Sequence, residues 1–338
     1  MGSKFIKACN VISKTDGSYI VYAAMIASAG IDDKKDNPAA FKDDINLLIR
    51  QLKSKSRETI LSVGGIDLLA RDFTLPKISK ENIAGAVMIE AENSIFETLD
   101  GMYSDYQILS SPSDEKMDIL FIASPKKNVN RMINNLSLTN LEVSAVTADN
   151  IALTNAYITF NDRRAGMESV VLVNIGHEVS NIAIIDHGNL QFVRNVAFGG
   201  KDVTAEIRNA YEVDEDTAEQ IKRYPAIWEN IGLNIKSILK KSSSNLLEAI
   251  FRSMEYCVSR QRIGKVDRIV LTGGGAMVKG IDAFIFDILG ITTDKWNPLA
   301  SDKIKSNVNA NDDLGFMTVV ALGLALQKAA QKGDSANV

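Results

Sequence analysis

The sequence predicts an α/β fold with two lobes. Its 338 residues exceed what one ordinary hydrophobic core accommodates. Two short, wholly apolar runs rich in β-branched residues, 170–173 and 269–271, lead directly into glycine turns, as strands buried on both faces of a sheet do. Segments with helical periodicity lie between these and other strand patterns. Together these observations favour an α/β protein over an all-helical or all-β one.

The composition excludes several functional classes. A net charge of −4, with no Lys/Arg cluster among aromatic residues, argues against nucleic-acid binding. Two cysteines, Cys9 and Cys257, and two histidines, His177 and His187, are too few for a disulfide framework or a metal cluster. We therefore predict no catalytic residue and no metal ligand, and turn or loop roles for both histidines. No apolar run reaches membrane-spanning length and no signal peptide is visible, which predicts a cytoplasmic protein.

The first part of the chain predicts a strand hairpin, a helix and further strands. A strand follows Gly2, and residues 19–24 form its partner after the turn at Gly17. An apolar stripe predicts a helix over 38–55. Residues 59–63 are predicted as a buried strand that ends at two glycines and continues as 68–75. All of these residues are interpreted as sheet and helix core.

A compact β/α unit follows Pro76. A helix is predicted over 78–97 with Ser79 as its cap. Strands are predicted over 103–109 and 117–123, joined by a polar loop. A helix beginning at Pro125 and a strand over 141–146 complete this unit, and Asp149 then opens a helix through Phe160.

The second half begins with three predicted strands and a glycine-capped helix. The strands cover 170–173, 182–185 and 192–198, and Gly199 with Gly200 precedes the helix. Glu219 and Lys222, three residues apart, share one helix face, where a weak surface ion pair is the simplest interpretation. Further helices are predicted over 244–260, after the Gly-Gly-Gly loop, and over 313–330.

These motifs resemble the type IV pilus assembly protein PilM family, with the cell-division protein FtsA as a near relative in the actin, Hsp70 and sugar-kinase superfamily. The resemblance covers about residues 2–332. The matching positions of the central motif are Gly176, Ser180, Arg194, Gly199, Gly200 and Thr204. The resemblance implies an α/β, actin-like (ribonuclease H-like) fold of two lobes with an inserted 1C subdomain of the FtsA/PilM type.

The resemblance also implies a division of the chain. The first lobe covers 1–76, the inserted subdomain 77–147 and a return helix 148–170. The second lobe covers 171–312, a helix over 313–332 returns to the first lobe, and 333–338 form a loose tail. The acidic residue that opens the family's first loop is absent ahead of Gly2, either because the chain was cut there or because this protein never had it. No basic amphipathic helix of the FtsA kind follows Gln331, so direct membrane attachment is not predicted.

The resemblance further implies a nucleotide pocket, with ATP and Mg²⁺ bound weakly if at all. The implied nucleotide-binding residues are Gly2, Ser3, Lys4, Asn174, Gly176, Ser180, Gly200, Glu219, Lys222, Gly273, Gly274 and Gly275. Asn174 stands where the family has its second carboxylate, and it carries no charge to hold a hydrated divalent ion. His177 and Glu178 also depart from the family pattern. We therefore expect little or no ATP hydrolysis.

The function implied by the resemblance is a cytoplasmic scaffold of type IV pilus assembly. Its implied partners are the cytoplasmic N-terminal peptide of a PilN-like inner-membrane protein, bound between the first lobe and the insert, and other subunits of the pilus machinery. This partner would hold the protein at the inner membrane. An active ATPase or an FtsA-like filament former is the alternative, and self-association stays open. A sugar or acid kinase is disfavoured by the 1C-like insert.

Overall fold

The computed structural model describes residues 2–27, 38–95, 99–113, 115–224, 234–309 and 312–334. Of the tail predicted over 333–338, positions 335–338 lie outside the described residues. So do positions 96–98 of the predicted helix over 78–97. Within the described ranges, no helix combines the length and the apolar character needed to cross a bilayer.

The first lobe opens with an antiparallel hairpin of β1 (Phe5–Ser13) and β2 (Tyr19–Ala27). Strand β13 (Ile304–Ser306) adds to β2 in parallel and completes a three-stranded sheet. Helix α1 (Pro38–Gln51) packs its apolar stripe against this sheet. The helix ends earlier than the predicted residue 55 because Lys53 has a left-handed backbone, with φ of 47°.

A separate two-stranded sheet belongs to the same lobe. Strand β3 (Glu58–Val63) pairs in parallel with β7 (Glu142–Ala148), and α3 (Lys126–Ser137) packs beside β7. Among the described residues, no strand pairs with the second edge of β1 or with the second edge of β3. The first-lobe strands therefore form two sheets and not one.

A third sheet holds most of the predicted insert. Strands β4 (Leu69–Pro76), β6 (Lys116–Pro125) and β5 (Met102–Ser113) are antiparallel in the spatial order β4-β6-β5. Helix α2 (Lys80–Ser94) covers one face through its buried residues. The polar loop predicted over 110–116 is shorter than expected, because β5 and β6 continue pairing to Ser113 and Lys116. The predicted boundaries of the insert stay a prediction.

The second lobe contains one continuous five-stranded sheet in the order β10-β9-β8-β11-β12. Its strands are β8 (Ser169–Ile175), β9 (Ser180–Asp186), β10 (Asn189–Val196), β11 (Arg268–Thr272) and β12 (Thr293–Lys295). Its helices are α6 (Gly200–Tyr211), α7 (Glu215–Arg223), α8 (Ile235–Ser242), α9 (Ser244–Ser259) and α10 (Ile281–Leu289). They bury a large apolar core against one face of the sheet. On α10, Ile281, Phe284 and Ile285 are buried, whereas Ile288 is exposed.

Two long helices join the lobes. Helix α4 (Asp149–Phe160) leads to the short α5 (Asp162–Ala165), and α11 (Leu314–Met317) precedes α12 (Val319–Asp334). Helices α4 and α12 pack against each other, and α12 also lies against β1 and β3. A Cβ at Gly323 would lie 1.8 Å from the carbonyl oxygen of Ala152, so only glycine permits this close crossing.

Candidate functional site

A cavity of about 1660 Å³ lies between the two lobes and continues into the first lobe. All but one of the nucleotide-binding residues predicted from the sequence line it. The exception is Ser180, which is fully buried and whose hydroxyl donates to the carbonyl oxygen of Phe198 at 2.8 Å. The roles of these residues stay predictions, but the fold brings them to one place.

A cluster of charges forms one wall of the cavity. Glu219 accepts a hydrogen bond from Lys222 (Nζ to Oε1, 2.5 Å), and its second oxygen lies 3.3 Å from Lys4 Nζ. Burial opposes ionisation of Glu219, but hydrogen bonds from Lys222 and Thr204 and the charges of Lys222 and Lys4 outweigh it and lower its pKa to about 2. This pair is more than the weak surface contact that the spacing alone predicts.

The Lys222 ammonium donates hydrogen bonds to three groups of the protein itself. Its ammonium donates to the carbonyl oxygen of Gly200 (3.0 Å), to Thr204 Oγ1 (2.6 Å) and to Glu219. A lysine ammonium has three donors, so none is left for a ligand in this arrangement. Burial lowers the pKa of Lys222, while Glu219 acts in the opposite direction. Lys222 therefore joins α7 to the start of α6 and holds Glu219 in place.

The glycine loop after β11 lies closely against the end of β8. Gly273 has φ of 85°, and a Cβ there would lie 2.4 Å from Asn174 Oδ1. A Cβ at Gly275 would lie 2.2 Å from Ile175 Cγ2. At Gly274 the nearest atom would be Met317 Cγ at 3.7 Å, an ordinary contact. Gly273 and Gly275 are therefore required by packing, whereas Gly274 has room for a Cβ.

Asn174 begins a chain of side-chain amides that crosses three strands. Its Nδ2 donates to Asn181 Oδ1 (2.8 Å), Asn181 donates to Asn195 (3.0 Å), and Asn195 donates to the carbonyl oxygen of Gly65 in the first lobe (2.7 Å). Asn174 and Asn181 are register partners, as are Asn181 and Asn195. In this orientation of the amides, a carboxylate at position 174 would have no proton to donate to Asn181.

The loop after β8 offers little positive charge for an anionic ligand. His177 lies half-buried on the cavity wall, and burial, with the charges of Lys4 and Lys222, lowers its pKa, which keeps the imidazole neutral at pH 7. Glu178 is exposed and lies 3.2 Å from Lys201 Nζ, so its charge is partly offset. His187 occupies the β9–β10 turn with φ of 48° and lies outside this cavity.

The structure adds two charged groups that the sequence reasoning missed, Asp149 and Lys7. Both line the cavity from the first lobe. Burial raises the pKa of Asp149, opposed by a hydrogen bond from Ser62 and by the charge of Lys7, and burial lowers the pKa of Lys7. A Cβ at Gly64 would lie 1.8 Å from Asp149 Oδ2, so this glycine makes room for the carboxylate. The only signal in the sequence was an acidic residue at the start of a helix.

The groups in the loop after β8 that face the cavity are mostly uncharged. Among the described residues, no group of His, Cys, Asp and Glu side chains is arranged to hold a metal ion. A neutral amide and a neutral imidazole lie in the loop after β8. Gly274, in the glycine loop, lines the cavity, and Met317 is in ordinary contact with the position of its missing Cβ.

The match to known proteins covers nearly the whole chain. The family model of type IV pilus assembly protein PilM matches residues 1–329. The cell division protein FtsA of Bacillus subtilis (strain 168) is 24% identical over 187 residues, which are 50% of this chain and 42% of FtsA. FtsA of Borreliella burgdorferi is 26% identical over 231 residues, 62% of this chain and 53% of FtsA. The chain thus spans about half the length of these curated relatives.

Solved structures show the same fold. The PilM-PilN type IV pilus biogenesis complex matches with a TM-score of 0.79 at 20% identity, over 97% of this chain and 96% of that one. The ethanolamine utilization protein EutJ from Carboxydothermus hydrogenoformans matches with a TM-score of 0.54 at 14% identity, over 96% and 86%. The predicted actin-like fold and the predicted PilM resemblance are confirmed.

Proposed function

The chain belongs to the family of type IV pilus assembly protein PilM, and from that premise we propose that it is a cytoplasmic scaffold that binds the N-terminal peptide of a PilN-like inner-membrane protein. The observation that carries this proposal is the match of the family model to residues 1–329. The likeness to PilM in a PilM-PilN complex supports the choice of partner. In this proposal the partner holds the protein at the inner membrane, beside other subunits of the pilus machinery.

The junction between the first lobe and the predicted insert supports a peptide site. Ile66, in the loop after β3, and Tyr103, on β5, are large apolar side chains that are 61% and 49% exposed. Both flank α3, because Asp67 accepts a hydrogen bond from Asn128 (3.3 Å) and the Tyr103 hydroxyl donates to Asn130 (3.3 Å). Strand β5 is also an edge strand, to which an extended peptide can add by main-chain hydrogen bonds.

The test is calorimetry with a synthetic peptide that copies the cytoplasmic N-terminus of the cognate PilN-like protein. We expect binding without nucleotide, weakened at least tenfold by Ile66→Asp and by Tyr103→Ala. Phe286→Asp, on α10 in the second lobe, is the matched control, because Phe286 is also 49% exposed but lies on another element. Point variants are better than deletion of the insert, since β7 pairs with β3 and β6 with β4. Equal affinity in all four proteins would exclude this site.

For the cofactor, we propose weak binding of the nucleoside part of ATP and no steady hydrolysis. The ordered Glu219 cluster and the position of Gly274 on the cavity wall support binding. Asn174 and neutral His177 argue against a magnesium-dependent reaction. An active, FtsA-like ATPase is the second candidate, favoured by the 24% and 26% identity to FtsA.

Phosphate release with Mg-ATP separates these two candidates. We expect a rate equal to that of buffer. Gly274→Val is the informative variant, because a Cβ there makes only an ordinary contact with Met317 and lies on the cavity wall proposed to hold the ligand. Gly275→Val is unsuitable, since it would collide with Ile175 whether or not a ligand binds. Magnesium-dependent turnover that Gly274→Val abolishes would establish the ATPase instead.

A further inference from the structure

Arg194 is a residue of the central sequence motif whose charge the site described above does not use. It lies on β10 and does not line the cavity between the lobes. Its guanidinium lies over the ring of Phe192, 5.4 Å from the ring centroid, and makes no hydrogen bond or ion pair with another described residue. Burial lowers the pKa of Arg194, and so do the charges of Arg252 and Arg71. A half-buried guanidinium without a hydrogen-bond partner is unfavourable, so Arg194 gains from a bound anion.

The two arginines that act on Arg194 lie on the neighbouring elements β4 and α9, which both lie against β10. Arg71 of β4 is exposed, and its guanidinium donates to the carbonyl oxygen of the adjacent Ala70 at 2.9 Å. Arg252 of α9 is also exposed and lies 2.5 Å from Glu248, so its charge is partly offset. Among the described residues, the guanidinium groups of Arg71 and Arg194 therefore have no carboxylate in ion-pair contact. We call Arg71, Arg194 and Arg252 the arginine surface.

Asp72 is the acidic residue that acts on Arg194, but its carboxylate is engaged by other groups. Its charge raises the pKa of Arg194, against the larger effect of burial. One of its oxygens lies 2.6 Å from Arg262 Nη1 and accepts a hydrogen bond from the Tyr256 hydroxyl at 2.6 Å. Asp72 therefore leaves the guanidinium of Arg194 without an ion-pair partner.

Aromatic rings hold the guanidinium of Arg194 in place. Phe192, which lies beneath it, is 6% exposed, and its ring centroid lies 5.4 Å from that of Tyr256. The guanidinium of Arg260 lies 5.4 Å from the centroid of the Tyr256 ring. A guanidinium that is stacked on a ring before binding loses little further freedom when it binds, and arginine and aromatic residues are both enriched at protein interfaces.

The shape and charge of the arginine surface favour a peptide over a small anion. Sites for small molecules are concave and enclose most of the ligand. The three arginines instead come from two strands and a helix, and two of them are exposed. Guanidinium groups bind carboxylates by paired hydrogen bonds. Because the whole chain has a net charge of −4, an acidic partner is attracted to this surface and not to the chain as a whole.

We propose that the arginine surface is a docking site for an acidic segment of a protein partner, whose carboxylates bind Arg194 and Arg71. Arg194 is the central contact, because its guanidinium is half-buried and held by Phe192. Arg71 is exposed and forms the rim of the site. The inference goes beyond the proposed function and does not depend on it, since the peptide site proposed above uses Ile66 and Tyr103.

The test is fluorescence anisotropy with the full chain and a short labelled peptide of alternating glutamate and glycine. We expect Arg194→Gln to weaken binding about tenfold, because a half-buried, charge-assisted contact is lost. Arg71→Gln should weaken it about threefold, because that group is exposed. Arg50→Gln is the matched control and should leave the affinity unchanged, because it removes the same charge from an exposed arginine on α1.

The controls separate a specific site from a general effect of charge. Equal losses in Arg50→Gln and Arg194→Gln overturn the proposal. Equal binding of a peptide with glutamine in place of every glutamate also overturns it, as does the absence of binding to the unaltered chain. Unfolding temperatures are measured for every variant. If Arg194→Gln is unstable, Arg71→Gln still decides the matter, because its side chain is exposed.

Three further results would assign the peptide or the surface differently, and each overturns the inference. Inorganic phosphate that binds the unaltered chain more tightly than the peptide does, but not Arg194→Gln, would assign the surface to a phosphate group. Sedimentation with phosphatidylglycerol vesicles that Arg194→Gln abolishes would assign it to a membrane. Weaker binding of the acidic peptide to Tyr103→Ala would place that peptide in the site proposed for the PilN-like partner.

Discussion

The sheet of the second lobe and the two sheets of the first lobe use similar residues but bury them differently. In β8, residues 170–173 are fully buried, with β9 on one edge and β11 on the other. In β1, Ile6 is the only buried residue, although the strand is also mostly apolar. The difference lies in the neighbours, because β8 is paired on both edges and β1 on one. Continuity of the sheet, more than composition, determines how deeply a strand is buried.

The lobes are also joined to each other by buried charge. Arg262, whose side chain is 4% exposed, lies 2.6 Å from Asp72 and 3.5 Å from Asp118. The Tyr256 hydroxyl donates to Asp72 at 2.6 Å. This cluster connects β4 and β6 to the end of α9, so the third sheet is attached to the second lobe.

The largest expected effect compares one leucine from each region. Leu172→Ala, in β8, should reduce the free energy of unfolding by ~4–5 kcal/mol, since a fully buried site relaxes little around the new cavity. Leu61→Ala, in β3 on the wall of the cavity, should cost only ~2 kcal/mol, since space already exists there. Guanidinium unfolding with hydrogen exchange at each strand measures both. Equal losses would show that the two sheets are equally well packed.

The next effect concerns the buried charge cluster of Arg262, Asp72 and Asp118. Arg262→Ala leaves Asp72 and Asp118 buried without their cation and should cost ~3–5 kcal/mol. Arg252→Ala is the control, because Arg252 pairs with Glu248 on the exposed surface of α9 and such pairs contribute ~0.5 kcal/mol. The same unfolding experiment applies. A small loss at Arg262 would mean that the insert sheet is not held by these charges.

A smaller effect depends on pH. The pKa of Glu219 falls from 4.5 to about 2 in the folded protein. A depressed carboxyl pKa contributes stability that is present above 4.5 and disappears as the pH falls towards 2. The unfolding temperature of the protein should therefore fall more steeply between pH 4.5 and 3 than that of Glu219→Gln. Parallel curves for the two proteins would show that the Lys222 and Lys4 contacts do not hold in solution.

The smallest effect concerns the chain of asparagine amides that runs from Asn174 in the second lobe to Gly65 in the first lobe. Asn174→Asp removes the donor to Asn181 and should cost ~1–2 kcal/mol. Asn189→Asp is the control, because Asn189 is exposed and its side-chain amide donates within its own turn, to the carbonyl oxygen of His187. Thermal unfolding at pH 7 compares the two. A gain in stability with Asn174→Asp would contradict the assigned direction of the chain.

Much of the second lobe could be predicted from the sequence. The apolar runs at 170–173 and 182–185 lie inside β8 and β9, and the helix predicted after Gly200 is α6. The nucleotide-binding residues were predicted only through family motifs. Such motifs can mislead, because the Ser180 hydroxyl donates to the carbonyl oxygen of Phe198 and does not line the cavity. Asp149, Lys7 and Arg262 were not predicted, because their partners lie far along the chain.

The sequence by itself determined the class of fold, the family, and the strands and helices of the second lobe, because periodicity and glycine turns act over a few neighbouring residues. Only the tertiary structure decided which strands pair, that Gly273 and Gly275 serve packing as well as any ligand, and that Arg262 joins two lobes. It also decided that β1 and β3 lie apart. Strand pairing and buried charge depend on residues that meet across long stretches of chain, such as Tyr256 and Asp72 at a separation of 184. Patterns of neighbouring residues in the sequence cannot predict such long-range contacts.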